Sequence, residues 1–134
     1  MARYSRRRGP PADFELSGGA QIITGLSITR FWDHGEILLL VNLGYSNNIV
    51  GNAVVTINVA LDGISPFLVV PQWSFTHTFF ANLSLQTLIP TTEGVHTIDI
   101  IGTGNPVASD IILANKSTIV AIQLPLWDDP ANIQ

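Results

Sequence analysis

From residue 19 to residue 126 the sequence runs in short segments of alternating apolar and polar side chains, separated by turn residues. In residues 53–61, apolar side chains recur at every second position from Val55 to Leu61, and the segment stops at the strong turn pair Asp62 and Gly63. A period of two is typical of strands, and no stretch of helical period is long enough to compete. The spacing predicts about nine strands in an antiparallel sandwich or barrel. The predicted strands are residues 21–31, 36–45, 53–61, 67–70, 73–80, 83–89, 95–101, 107–113 and 117–126.

One of these segments, residues 36–45, is apolar in a continuous run from Ile37 to Val41, which predicts burial on both faces. The whole chain shares this bias, since 46% of its residues are hydrophobic and only 12% are charged. The run ends at Asn42, whereas a membrane-spanning helix needs roughly 20 apolar residues, so no membrane segment is expected. The surplus apolar surface must therefore be buried inside the domain or against a partner.

The length of 134 residues suits one domain. We expect a flexible arginine arm at residues 1–16, a β-sandwich at residues 17–127 and a C-terminal tail at residues 128–134. The arm contains Arg3, Arg6, Arg7 and Arg8, then a proline pair, and shows no strand or helix period. It is interpreted as a tether to an acidic protein surface. The alternatives are an arm for nucleic acid and a solubilising terminus without a role.

The residue types needed for catalysis are sparse. The chain has no cysteine, so disulfides and thiolate metal sites are excluded, and no apolar stretch follows the arginines as a secretory signal would require. Of the histidines, His34 belongs to a turn where it should be solvated, His77 is expected to pack within an apolar strand face, and His96 shares no local spacing with either. We expect no enzyme, no metal and no cofactor. Because the body carries more carboxylates than cations, we do not expect it to bind nucleic acid.

Aromatic and aliphatic residues are concentrated in residues 72–88 and again near residue 127. With so few charges in the body, this concentration favours an apolar subunit interface. Trp73, Phe75, Phe79 and Trp127 are its predicted members. The alternative is a generous core with scattered exposed apolar residues, as most proteins have.

Three segments carry a resemblance to a known group of domains. They are residues 59–63 (VALDG), residues 91–100 (TTEGVHTIDI) and residues 116–124 (KSTIVAIQL). Together they resemble the closing portion of the jelly-roll domains of C1q/TNF-like modules and of bacteriophage decoration and fibre proteins. The resemblance implies a jelly-roll sandwich and a trimer packed around a three-fold axis by apolar strand faces. It also implies a position at three-fold sites of a capsid, with terminal arms that clamp neighbouring capsomers.

The leading hypothesis is a homotrimeric capsid decoration (cement) protein. It would be made in the host cytoplasm, would bind the major capsid protein on the outer surface of the virion, and would contact no membrane. Two alternatives stay open. A fibre or receptor-binding module could recognise cell-surface glycans through exposed tryptophans among Trp32, Trp73 and Trp127, and a small capsid subunit could use the arm on nucleic acid.

Overall fold

A computed structural model describes residues 4–9, 11–16, 19–47, 53–65, 72–75, 80–104 and 110–124. Within these ranges every regular element is a strand, and the strands pair antiparallel, as the alternation predicts. No helix of the described residues offers the length and apolarity that crossing a bilayer requires. The strands of this part of the chain are β1 (Tyr4–Arg8), β2 (Phe14–Leu16), β3 (Gln21–Trp32), β4 (Gly35–Ser46), β5 (Ala53–Leu61), β6 (Gln72–Phe75), β7 (Ala81–Thr91), β8 (Gly94–Thr103) and β9 (Asp110–Leu124).

The strands form two sheets around one core. Sheet 1 has the order β1-β9-β4-β7, with β2 also paired to β9, and sheet 2 has the order β3-β8-β5-β6. Arg8 lies opposite Thr118 and Phe14 opposite Ile112, so β1 and β2 keep the same register on β9. They form one interrupted strand, and the described strands then make two four-stranded sheets in the arrangement of a jelly roll.

The sequence shows no strand period before residue 17, yet the structure has two strands there. β1 and β2 both belong to sheet 1, and Leu16 of β2 is fully buried. The break between them contains Pro11, which lacks the N–H that a ladder requires. Strands of five and three residues are too short to show a period. Their partner β9 is also far away in the sequence, so local patterning cannot reveal the pairing.

The end of the domain also differs, because β9 is one strand where the sequence predicts two, residues 107–113 and 117–126. The polar break between them is a bulge, at which the pairing of β9 with β4 shifts register between Asn42 and Gly44. The Ser117 hydroxyl supports the bulge: it accepts the Gly44 N–H (3.2 Å) and donates to the Leu113 carbonyl (2.8 Å).

The core fills the space between the sheets with alternate residues of each strand, as the period predicts. The prediction that residues 36–45 are buried on both faces is wrong: one face of β4 is buried, whereas Leu38 and Leu40 are half-buried and Glu36 and Asn42 are exposed. The second face points away from sheet 2, and the described chain does not cover it. The largest fully buried side chains are Trp32, Tyr45, Leu16, Ile23, Leu26, Ile28, Ile37, Leu39, Leu43, Ile57, Leu83 and Ile89.

Candidate interaction surface

The outer face of sheet 1 carries a group of apolar side chains next to a polar half that includes Arg8, Asn42 and Ser84. The apolar side chains on its two edge strands, β1 and β7, are the most exposed: 56% of Tyr4 and 51% of Leu88 is accessible to solvent. Those on the central strands are half-buried by their neighbours in the sheet. We define the apolar face as Tyr4, Leu38, Leu40, Leu88, Val120, Ile122 and Leu124.

Strand register makes the apolar face continuous. Leu38 lies opposite Ile122, which in turn pairs with Tyr4, and in the next row Leu40 lies opposite Val120. With strands about 4.8 Å apart and rows about 6.6 Å apart, its seven residues cover roughly 220 Å². The rows are interrupted at Arg6, Gln86 and Glu36. Contiguous apolar patches on soluble proteins are often functional. The apolar face is therefore the strongest candidate for contact with another protein.

The predicted arm residues of β1 divide between the two sides of the strand. Arg6 pairs with Val120 and shares the outward side of sheet 1, and Arg8 lies on the same side two residues further along. Arg7 pairs with Ile119, so it lies on the opposite side of the strand. All three side chains are exposed. Their role as capsid contacts stays a prediction.

The predicted interface aromatics lie elsewhere. Trp73 is half-buried and packs against the core, and Phe75 ends β6. The Phe75 side chain, together with Phe79, Trp127 and the arm residue Arg3, lies outside the described residues. The role of these aromatics at a subunit interface stays a prediction.

The glycan-binding alternative depends on exposed, clustered tryptophans. Trp32 is fully buried, with the Arg30 guanidinium 5.1 Å from the centre of its ring. Trp73 packs against the core. Within the described ranges, no tryptophan therefore presents an open ring face on which a sugar could stack.

The outer face of sheet 2 is built from polar pairs. The Ser27 hydroxyl donates to the Asp99 carboxylate (2.5 Å), and the hydroxyls of Thr29 and Thr97 share a hydrogen bond (2.9 Å). Apolar side chains on this face lie toward its ends, as Val95 does with 66% of its surface accessible. The centre of this face satisfies its own polar groups, so it has less need of a partner.

One end of sheet 2 holds an ion pair that the sequence did not reveal. Asp62 and Gly63 form the predicted tight turn, with φ of 52° and 84°. The Asp62 carboxylate accepts from His96 Nδ1 (2.5 Å) and from the Thr97 N–H (2.9 Å), and His96 Nε2 contacts the Thr92 carbonyl (2.8 Å). The hydrogen bond to Asp62 raises the pKa of His96, and the same bond lowers the pKa of Asp62. The pair links two neighbouring turns.

A second polar cluster is buried at the other end of the core. The Tyr45 hydroxyl donates to the Asp110 carboxylate and accepts from the Asn47 amide (2.7 Å). Burial, and then the hydrogen bond to Asp110, raise the pKa of Tyr45 well above its ordinary value of 10.0, so the phenol stays protonated and donates. Gly104 leaves room for this cluster, because a Cβ there would lie 2.7 Å from Asp110 Oδ2. These contacts are typical of a structural network.

No grouping of side chains in the described residues provides a metal site, since no three His, Asp or Glu residues come together there. His34 is exposed on its turn, as the sequence analysis expects, and His77 lies outside the described residues. The polar clusters at Asp62 and Tyr45 have structural contacts for most of their donors and acceptors. The apolar face, by contrast, is covered by no part of the described chain, so it is the best candidate for a functional surface.

Sequence reasoning missed the location of this surface, although a signal was present. Residues 37–41 and residues 119–122 are apolar at consecutive positions, so both faces of β4 and β9 carry apolar side chains. Such runs are typical of strands covered on two sides. The sequence does not say whether the second cover is part of the same chain.

The comparisons with known proteins identify the fold. Neither a family model nor a curated protein matches the sequence. Among solved structures, the Eiger TNF from S. frugiperda matches with a TM-score of 0.61 at 10% identity, covering 96% of this chain and 96% of that one. At this identity the likeness shows a shared fold. The chain is an all-β jelly-roll domain, as the sequence resemblance implies.

The viral side of the resemblance also has structural neighbours. A chain of infectious bursal disease virus, Gx strain, matches with a TM-score of 0.61 at 11% identity, covering 91% of this chain and 32% of the viral chain. A chain of the T13 particle of the same virus gives 0.59 at 13% identity, with 91% and 35% covered. This chain therefore spans about a third of the viral chains that it matches.

Proposed function

We propose that this chain is a structural protein of a virion, specifically a homotrimeric decoration (cement) protein that binds the major capsid protein on the outer surface of the shell. The single observation that carries this proposal is the apolar face of sheet 1. A jelly roll with one such face has a ready surface for packing against copies of itself. The likeness to viral and TNF jelly rolls supports this choice of class.

Energetics favour coverage of the apolar face. Removing apolar surface from water stabilises an assembly by about 25 cal/mol per Å² before the costs of association are subtracted. The face of roughly 220 Å² is about a quarter of one side of a standard interface. In a trimer each subunit contacts two neighbours, so additional residues at the rim would complete the contact. Trp73, Phe75, Phe79 and Trp127 remain the proposed contributors from the rest of the chain.

The proposed mechanism is mechanical. A trimer that holds three arms near one capsid site raises the effective concentration of each contact, so modest interfaces add up to tight binding. Arg3, Arg6, Arg7 and Arg8 would pair with carboxylates of the major capsid protein, because the guanidinium fork matches the carboxylate geometry. The shell would thereby be held together from outside. Synthesis would take place in the host cytoplasm.

The deciding experiment is light scattering of the purified chain across a range of concentrations. We expect a particle of three times the chain mass of 14.5 kDa. A monomer at every concentration would overturn the trimer, and so would a stable dimer. A second measurement tests the capsid contact: changing Arg6, Arg7 and Arg8 together to Ala should lower the copy number on virions. Full occupancy by this triple variant would overturn the clamp, whatever the oligomeric state.

A further inference from the structure

Three cationic side chains converge at a notch beside the apolar face. Arg6 and Arg8 point outward from β1, and Lys116 reaches the same place from the bulge of β9. The notch has a volume of about 440 Å³, and Asn42, Asn115 and Thr118 contribute to its lining. Half of the six lysines and arginines of the chain therefore meet in one small space. We call this the basic notch.

The β4 side of the basic notch is fixed by close packing. Gly44 is required there, because a Cβ at this position would lie 2.4 Å from the Cβ of Lys116. The Gly44 N–H donates to the Ser117 hydroxyl (3.2 Å), which anchors the residue next to Lys116. The stem of Lys116 therefore lies directly over the β4 backbone. The bulge thus places the start of its side chain.

The β1 side of the basic notch is fixed by backbone contacts. The Gly9 N–H donates to the Ser117 carbonyl (2.9 Å), and the Asp13 carboxylate accepts the Ala114 N–H (2.8 Å). These contacts bracket the bulge on the side of the interrupted first strand. The arginines of β1 and the lysine of β9 are thus held on one framework. A preorganised site loses less entropy when it binds.

The basic notch has an unbalanced charge. Among the described residues its lining contains no carboxylate, and none forms an ion pair with Arg6, Arg8 or Lys116. An anion in the notch would meet cations on two strands and no competing carboxylate of the described lining. Asn42 accepts from the Ser84 hydroxyl through Oδ1 (3.2 Å), which orients its amide as a further donor.

We propose that the basic notch binds the carboxylates of an extended acidic segment of a partner protein. The inference deepens the proposed function by naming the chemistry of capsid binding, and it rests on that function for the identity of the partner. A protein segment fits because the cations stand in one small notch of about 440 Å³ with the Asn42 amide as a neutral donor, which suits a few carboxylates better than a row of phosphates. A nucleic acid needs a longer track of positive charge, whereas here the exposed Glu36 shares the same face.

The test measures binding of a fluorescent decaglutamate peptide by fluorescence anisotropy. A labelled oligothymidylate of equal length is measured in the same way, to represent nucleic acid. Lys116→Ala and Arg8→Ala should each weaken peptide binding about fivefold, as loss of one charge-assisted contact predicts. Thr29→Glu is the matched control, because it lowers the net charge by the same unit at an exposed position on the other sheet. It should change the affinity less than twofold. Lys116→Arg should retain binding, and thermal melts check that each variant folds.

The outcomes separate the proposals. If Thr29→Glu weakens binding as much as Arg8→Ala, only net charge matters and the basic notch is not a site. The inference is also overturned if the wild-type chain does not bind decaglutamate, or if it binds oligothymidylate more tightly. A monomeric chain that passes the variant test would keep the carboxylate site and lose the trimer. A trimer that fails the variant test would lose only the carboxylate site.

Discussion

The outer surfaces of the two sheets are both made of alternate residues of antiparallel strands, yet they carry different side chains. On sheet 2 the central positions are hydroxyls and a carboxylate that bond to one another, as Ser27 does to Asp99. On sheet 1 the central positions include leucine, isoleucine and valine, as at Leu38 and Ile122, with polar residues such as Glu36 and Asn42 around them. The inner faces of the two sheets are alike. The centre of the outer face is thus apolar on sheet 1 and polar on sheet 2.

The difference teaches that the two outer faces place their apolar side chains differently. On sheet 2 the exposed apolar residues, such as Ile22, Phe31 and Val95, lie toward the strand ends, whereas on sheet 1 they meet near the centre. There the apolar face lies next to the basic notch, so apolar and electrostatic contacts are available side by side. Such a pairing of an apolar centre with a charged rim is the usual anatomy of a protein interface.

The largest expected effect comes from placing a negative charge on the apolar face of sheet 1. Leu38→Glu should abolish self-association, raising the dissociation constant more than about 100-fold, because its neighbours in the row are apolar and a buried unpaired carboxylate costs several kcal/mol. Thr29→Glu places the same charge on the exposed outer face of sheet 2 and should leave the assembly intact. Sedimentation equilibrium measures both, and circular dichroism checks the fold. Equal behaviour of the two variants would contradict the proposed difference between the faces.

A smaller effect is expected in the backbone beneath the basic notch. Gly44→Ala should lower the free energy of unfolding by about 2 kcal/mol, since its Cβ meets Lys116 at 2.4 Å and the bulge must shift. Gly19→Ala is the control, because nothing lies within 4 Å of the added carbon. Urea denaturation gives both values. A neutral Gly44→Ala would mean that the bulge is free to move and that the notch is not preorganised.

Next in size is a difference in chemical protection. The chain has no cysteine, so single-cysteine variants report one site each. Leu88→Cys lies on sheet 1 and Val95→Cys on sheet 2, at residues that are 51% and 66% exposed within the chain. At concentrations where the protein associates, maleimide should modify Leu88→Cys about tenfold more slowly than Val95→Cys. This ratio is expected when the apolar face is covered in nine-tenths of the chains. Equal rates at high concentration would place the contact elsewhere.

The smallest effect concerns the ion pair at the end of sheet 2. Asp62→Asn keeps an oxygen for the Thr97 N–H and removes the charge beside His96. The lowered pKa of Asp62 gives stability that is lost as pH falls through and below its ordinary value of 3.8, and the raised pKa of His96 gives stability that is lost as pH rises above 6.5. Asp62 is 47% exposed, so the loss in the variant should stay below about 1 kcal/mol.

The measurement for this pair is thermal unfolding of the wild type and of Asp62→Asn between pH 3 and pH 9. The stability difference should be greatest near pH 5 to 6 and should shrink at both ends of the range. Glu93→Gln, an exposed change on the neighbouring turn, serves as the control for a general charge effect. A difference that grows steadily toward high pH would contradict the assignment.

Much of the fold was predictable because strand alternation and turn chemistry are local. Residues 53–61 and the turn at Asp62 match the structure residue for residue. Alternation failed where a feature depended on distant partners. The first strand is defined by its pairing with β9, and the polar residues before Ser117 form a bulge rather than a turn because Gly44 and Leu113 hold the Ser117 hydroxyl.

The candidate site was only partly predictable for the same reason. Composition predicted an apolar contact, and Arg6 and Arg8 were singled out by their charge. Lys116 joins them only through the fold, and the pairing of Asp62 with His96 spans two turns far apart in the sequence. An apolar run such as residues 37–41 looks the same whether its second face is covered by its own chain or by another molecule.

The pairing of β1 with β9 has a consequence for biosynthesis. β9 lies in the middle of sheet 1, between the first strand and β4, yet it leaves the ribosome after every other described strand. Until then β1 and β4 have no neighbour between them, and Ile122 and Val120 are still to be added. The apolar face is therefore complete only after β9 has been made. A nascent domain meanwhile presents an unpaired edge of β4, the kind of edge that pairs with other chains, so the last described strand closes both the sheet and this route to aggregation.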